Sequence, residues 1–138
     1  MNALIDTTVW SLALRRRPQD LKPAEQFIVT ELKELIRESR ARLIGPVRQE
    51  LLSGVKTAEQ YERLRMALRA YPDEPIATSD YEAAASASNL CRSNGVAFSP
   101  TDVLICALAV AREWSVFSLD PDFQHYARIL PIRLHSPR

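Results

Sequence analysis

Cysteine is nearly absent: Cys91 and Cys106 are the only two in 138 residues. Both fall within helical patterns, which excludes a disulfide framework and a cysteine metal-ligand pair. Cys106 lies in an apolar run and reads as a small buried hydrophobe. Histidine is as sparse. His125 and His135 stand isolated, and no Ser/His/Asp or Cys/His grouping suggests covalent catalysis. Net charge is missing too. A formal charge of +1 excludes a molecule held to nucleic acid by overall basicity, so attraction to a polyanion must come from local patches or a bound cation. Lysine occurs only at Lys22, Lys33 and Lys56. Arginine supplies the remaining positive charge, either for its phosphate-gripping planar fork or through compositional bias. No apolar stretch approaches the ~20 residues that cross a bilayer, and the first residues do not follow a basic-then-apolar leader pattern. The expectation is a soluble, cytoplasmic protein without repeats or low-complexity segments.

The length favours a single domain over 1–138, large enough to bury roughly 68–70% of its unfolded surface without staples. Residues 2–6 read as a short apolar strand, followed by a helix from about Val9 to Leu14 capped by Asp6 or Thr7 and closed by Arg15-Arg16-Arg17-Pro18. That arginine run is either a solvated helix end or a grip for phosphate or a partner. From Ala24 to Arg40 the apolar positions 24, 27, 28, 32, 35 and 36 mark one face of a helix. This face is either core or a groove wall for a partner helix. Arg42–Gly45 reads as a second strand, Pro46 opens a helix, and Gly54 stops it. Residues 57–70 are amphipathic. Ile76–Thr78 reads as a brief strand, and Ser79 with Glu82 as a capping box for an Ala-rich helix to Ser93, with Asn94-Gly95 as its left-handed exit. Ser99 caps the next helix, with Pro100 in first position and Asp102 three beyond the cap. Val103–Ala111 is apolar almost all round, so this helix is central. Val116–Leu119 and Ile129–Leu134 read as strands, the latter at an edge because of Pro131. Strands separated by helices predict an α/β fold, a mostly parallel central sheet covered on both faces.

Four acids stand where a strand should end and a helix begin: Asp6, Glu50, Asp102 and Asp120. Ligands of open α/β sheets bind beyond the carboxyl ends of the strands, so these carboxylates can converge although remote in sequence. Carboxylates and water are the ligands preferred by Mg²⁺ and Mn²⁺, and such a pocket suits metal-dependent phosphodiester cleavage. Each acid also has a plain structural reading. Asp6 and Asp102 can cap helices, Glu50 can be a solvated helix residue, and Asp120 before Pro121 can open a turn. Thr7 and Thr101 hydroxyls stand beside two of these acids and can orient them. Trp10 and Trp114 read as core rather than as base-stacking platforms.

The segments Leu-Ile-Asp-Thr-Thr-Val-Trp (4–10), Val-Arg-Gln-Glu-Leu-Leu-Ser-Gly (47–54), Ser-Pro-Thr-Asp-Val-Leu-Ile-Cys-Ala-Leu-Ala (99–109) and Phe-Ser-Leu-Asp-Pro-Asp-Phe (117–123) occur in that order. In order and spacing the chain resembles a PIN domain, more narrowly the ribonuclease toxins of VapBC toxin–antitoxin pairs. The resemblance implies a three-layer α/β/α domain that binds Mg²⁺ or Mn²⁺ and cuts RNA as an endoribonuclease. It also implies a homodimer neutralised by a small cognate antitoxin. By motif position Asp6, Glu50, Asp102 and Asp120 form the catalytic quartet, with Asp6, Asp102 and Asp120 as metal ligands. Asp122, two residues past Asp120, is the alternative to it or an outer ligand. Asp6 and Asp102 are the first choice for direct ligands; Glu50 and Asp120 would act through water, hold a second ion or orient the attacking water. A haloacid-dehalogenase-type phosphatase would need a second Asp where Thr8 stands. A receiver domain would need a paired early acid and a late Lys, and has neither. The remaining alternative is a catalytically inactive PIN-like module that binds RNA or protein.

Overall fold

A computed structural model describes residues 1–138. The chain enters as strand β1 (Ala3–Ile5), entirely buried, and turns at Asp6 into helix α1 (Thr7–Leu14). Helix α2 (Pro23–Arg37) starts with Pro in its first turn, and the Glu25 carboxylate accepts the Lys22 N–H at 2.9 Å. Of its apolar stripe Leu32 and Leu35 are buried, as is Val29 outside it, whereas Ala24 is exposed and Phe27 stays half exposed. Strand β2 (Ala41–Arg42) leads to α3 (Gly45–Leu52), which ends at Gly54 with a left-handed φ of 79°. Helix α4 (Ala58–Leu68) is capped by Thr57. Helices α5 (Thr78–Ser93) and α6 (Pro100–Arg112) pack against each other, Gly95 at φ 68° making the exit from α5. Strand β3 (Ser115–Phe117), short helix α7 (Asp122–Tyr126) and strand β4 (Arg133–Leu134) complete the chain.

The strands form one all-parallel sheet in the order β2-β1-β3-β4. Right-handed crossovers are the rule for parallel strands. Stepping from β1 out to β2 and then back across to β3 therefore puts α1–α2 on one face and α5–α6 on the other. The result is a three-layer α/β/α fold. Both faces of β1 and β3 are covered, which is why Ala3, Leu4, Ile5, Val116 and Phe117 can all be apolar without alternation. One cluster of 28 buried residues, from Ala3 to Leu130, forms the core. The connections leave β1 and β3 in opposite directions, and their carboxyl ends flank the point at which such sheets hold ligands.

Three expectations are corrected. Ile76–Thr78 forms no strand: Thr78 opens α5, and the strand-like pairing nearby is an isolated Leu43–Asp73 bridge. The Pro75 carbonyl accepts from Arg112 at 3.0 Å, so a side chain takes the place of a ladder partner. The cap of α5 is made by Asp80, whose carboxylate accepts the Ala77 N–H at 2.8 Å, rather than by Ser79 with Glu82. The final strand is confined to Arg133–Leu134, because residues 122–126 coil into α7 and the Leu130 N–H bonds back to Tyr126 at 2.8 Å. What holds that coil is Phe123 and Tyr126, three apart, buried edge-to-face with ring centres 5.2 Å apart.

Candidate metal centre

Asp6 leaves β1 with an extended backbone and takes the N-cap position of α1, but its carboxylate does not cap the helix. Instead Asp6 Oδ2 accepts from Thr8 Oγ at 2.8 Å and from Ser118 Oγ at 2.7 Å. Ser118 is the first residue past β3, and its hydroxyl also accepts the Asp120 N–H at 3.0 Å. The Thr8 hydroxyl similarly accepts the Leu119 N–H at 3.0 Å. Two hydroxyls thus sew the end of β1 to the turn after β3, a job the backbone cannot do once the ladder ends at Asp6 N–H to Phe117 carbonyl, 2.9 Å. One face of the buried Asp6 is fixed in this way, and Oδ1 has no protein donor.

Asp102 arrives from the other side, in the first turn of α6. Ser99 Oγ accepts the Asp102 N–H at 3.1 Å, so the helix start is capped as expected. The Asp102 carboxylate makes no return bond to the cap. It accepts from the Tyr126 hydroxyl of α7 at 2.8 Å through Oδ2. Burial pushes the Asp102 carboxyl above the ordinary 3.8; the Tyr126 bond works against this, while the Asp6 and Asp120 charges add to it. Burial, reinforced by Asp102, likewise pushes the Tyr126 hydroxyl and the Cys106 thiol upward. Both stay neutral, and Tyr126 serves only as a donor.

Asp120 and Asp122 come from the turn that opens α7, where Asp120 Oδ1 accepts the Asp122 N–H at 2.9 Å. Ligand oxygens of Asp102, Asp120 and Asp122 all lie within 4.8 Å of one another. Asp6 is not within that distance of all three, but it adjoins the group through Ser118 and bears on Asp102 by its charge. Glu50 is outside the group. It is exposed on α3, tied to the site by the Thr7 hydroxyl at 2.7 Å. Thr101 makes no hydrogen bond to any of the acids. Thr8, Ser118 and Tyr126 hold the carboxylates instead, and sequence spacing gives no hint of Ser118 or Tyr126.

The donor set fits a hard cation. It consists of carboxylate oxygens alone, the preference of Mg²⁺ and Mn²⁺, and none of Asp6, Glu50, Asp102, Asp120 or Asp122 has an ion-pair partner. Acids elsewhere are gripped: Asp80 by Arg112, Glu31 by His135 and Arg138, and Glu38 by Arg138, which holds the Glu38 carboxyl down at about 2. Clustered carboxylates left without cationic side chains repel one another unless a cation sits among them. Trp10, as expected, is core, packed against Tyr71 with ring centres 4.9 Å apart and planes tilted by 48°. Trp114 is only partly buried, with the Arg42 and Arg112 guanidinium groups 6.0 and 5.6 Å from its ring.

The fold has counterparts among solved structures. The FitAcB structure from Neisseria gonorrhoeae superposes with a TM-score of 0.74 at 21% identity, covering 98% of this chain and 97% of that one. VapBC2 from Rickettsia felis, bound to a DNA fragment from its promoter, gives 0.74 at 17% identity with 98% of each chain covered. VapBC-1 from nontypeable Haemophilus influenzae gives 0.71 at 12% identity, covering 99% and 98%. No curated protein matches the sequence. The family model of the PIN domain matches residues 3–129, nearly the whole chain. The protein belongs to the PIN domain family.

Proposed function

We propose that the protein is a Mg²⁺- or Mn²⁺-dependent endoribonuclease toxin of the VapC type, acting as a single PIN domain over 1–138, working as a homodimer and neutralised by a cognate antitoxin. The observation that carries this reading is the meeting of Asp102, Asp120 and Asp122 within 4.8 Å at the reversal point of a parallel sheet, with Asp6 beside them. Family membership supports a nuclease and a divalent metal, and the toxin–antitoxin complexes that share the fold support an antitoxin partner.

Asp6, Asp102 and Asp120 would hold the ion, with Asp122 as a further or outer ligand. When bound, a divalent ion makes water nucleophilic near neutral pH and neutralises charge developing on the phosphate. The chain supplies orientation. Thr8 and Ser118 fix Asp6, and Tyr126 fixes Asp102, each through one carboxylate oxygen, leaving the other free of protein donors. Glu50, held by Thr7, would orient the attacking water from the exposed side. Glu50 and Asp122 are exposed and Asp102 and Asp120 partly so, which suits a polymer entering from the side and cleavage within it.

Incubation of the purified protein with RNA and Mn²⁺ tests the reading. Cleavage should appear, vanish in chelator, and fall by at least 10²–10³ in Asp102→Asn, on the order of losing one main electrostatic element of a site. RNA bound but never cut would favour the inactive binding module.

A further inference from the structure

A cleft of about 620 Å³ lies away from the acids, between the end of α1 and the turn joining α3 to α4. Its wall carries Arg15, Arg16, Arg17, Lys56 and Arg63 with no acid among its lining residues. Some of this charge is spoken for: Arg17 pairs with Asp20 at 3.0 Å and Arg16 with Glu25 at 3.6 Å. Arg15 and Lys56 have no partner, and Arg63 meets only an exposed Glu59 at 3.8 Å, a contact of little worth in water. The N–H groups of Gly54, Val55 and Lys56 at the rim make no hydrogen bond within the chain. In a protein whose formal charge is +1, so many uncommitted donors around one hollow are a local feature, and their shared preference is for anions.

Two helices join this cleft to the acids. Thr7 starts α1 and bonds to Glu50 near the end of α3. Arg15 lies about 12 Å along α1 from Thr7, and Gly54 about 6 Å beyond Glu50, at 1.5 Å rise per residue. A strand whose scissile phosphate sits at the acids therefore has neighbouring phosphates within reach of the cleft. The acids alone would repel that strand, and cations a few nucleotides away offset the repulsion. Apolar floor residues Leu14, Val55 and Leu64 offer contact for unstacked bases.

We infer that this cleft binds the phosphodiester backbone of single-stranded RNA flanking the cleavage site, with Arg15, Lys56 and Arg63 as positioning residues. The inference rests on the ribonuclease reading for its substrate, but its test requires no cleavage. Binding of a fluorescent oligouridylate is measured in chelator across a salt series, for the wild type, for Arg15→Ala/Lys56→Ala/Arg63→Ala, and for Arg37→Ala/Arg92→Ala/Arg133→Ala. The last variant removes equal charge from exposed positions outside the cleft. Each cation neutralising a phosphate of a single strand contributes about −0.7 to the slope of log K against log salt. The cleft variant should therefore flatten that slope by about 2 and weaken binding at least tenfold at low salt, and the control should not. Equal losses in both variants, or no loss in either, overturn the inference. Loss of affinity for oligoglutamate with RNA binding intact overturns it in favour of an acidic protein segment as the occupant. Failure of the ribonuclease reading would show separately, as absent cleavage by the wild type with Mn²⁺.

Discussion

Asp102 sits partly buried on α6 with the charges of Asp6 and Asp120 near it, and its carboxylate accepts from the Tyr126 hydroxyl in return. Its carboxyl titrates above the ordinary 3.8 in the fold, so the metal-free folded state takes up a proton more readily than the unfolded chain does. Stability from this group is therefore fully present below pH 3.8 and is lost as pH rises through the raised value. Replacement by Asn removes that cost. Metal-free Asp102→Asn should melt at or above the wild-type temperature at neutral pH, and its advantage should shrink as pH falls toward 3.8, followed by circular dichroism in chelator. A drop of several degrees at neutral pH would mark Asp102 as a structural residue. At this scale Asp6, Asp102 and Asp120 were legible in the sequence, because each follows an apolar strand-like run or opens a capped helix; Glu50, expected at such a junction, lies near the end of α3 instead. Their hydroxyl partners were not. Ser118 looks like a strand residue and Tyr126 like part of a loop until the turn after β3 is seen to fold back on β1.

Helices α5 and α6 are joined by a single charged clasp. Asp80 is buried in the first turn of α5, caps it through the Ala77 N–H, and accepts from the Nη1 and Nη2 groups of Arg112 at 3.1 and 3.0 Å. The Arg112 bond, helped by the Ala77 N–H, holds the Asp80 carboxyl below 3.8, the opposite sense to Asp102. Its contribution is present above pH 3.8 and lost as pH falls through the lower folded value. Asp80→Ala removes a cap and a bidentate charge-assisted pair whose Arg side is partly in water. The expected cost is about 2–3 kcal/mol, read as a lower urea midpoint with unchanged slope. A change below ~0.5 kcal/mol would reduce the clasp to a surface contact. This clasp also explains where sequence reading of the elements stopped. Amphipathic stripes located α2 and α4, and the Ser99 cap with the apolar run after it located α6; α5 was placed as well, although Asp80 and not Ser79 with Glu82 caps it. The stretch before Asp80 looked like a strand because Ile76-Ala77-Thr78 is β-prone and apolar, whereas a guanidinium from a helix over thirty residues away satisfies its backbone. Helix α7 was hidden because five residues span little more than one turn, and its signal is only the Phe123–Tyr126 spacing.

Across the whole molecule, charge is segregated rather than absent. Unpaired carboxylates gather at the carboxyl edge of β1 and β3, uncommitted cations gather at the far end of α1, and the remaining ion pairs cancel locally. A fold that keeps several carboxylates together without cationic neighbours is held back by their repulsion and gains from a cation that binds only the folded state. At a free Mn²⁺ concentration of ~100 times the dissociation constant, that gain is about 2.7 kcal/mol, which for a domain of this size is a rise in melting temperature on the order of 10 °C. The rise should be lost in an Asp102→Asn/Asp120→Asn double variant and survive Arg37→Ala, whose pair with Glu34 is exposed on α2. Calcium and magnesium titrations run alongside would rank the ions by the rigidity of the site, since Mg²⁺ demands near-octahedral geometry and Ca²⁺ accepts a looser one. If Mn²⁺ moved wild type and double variant equally, the ion would be acting on general surface charge. The three carboxylates would then be a crowded loop end rather than a metal centre, and a phosphodiester cut there would lose its physical basis.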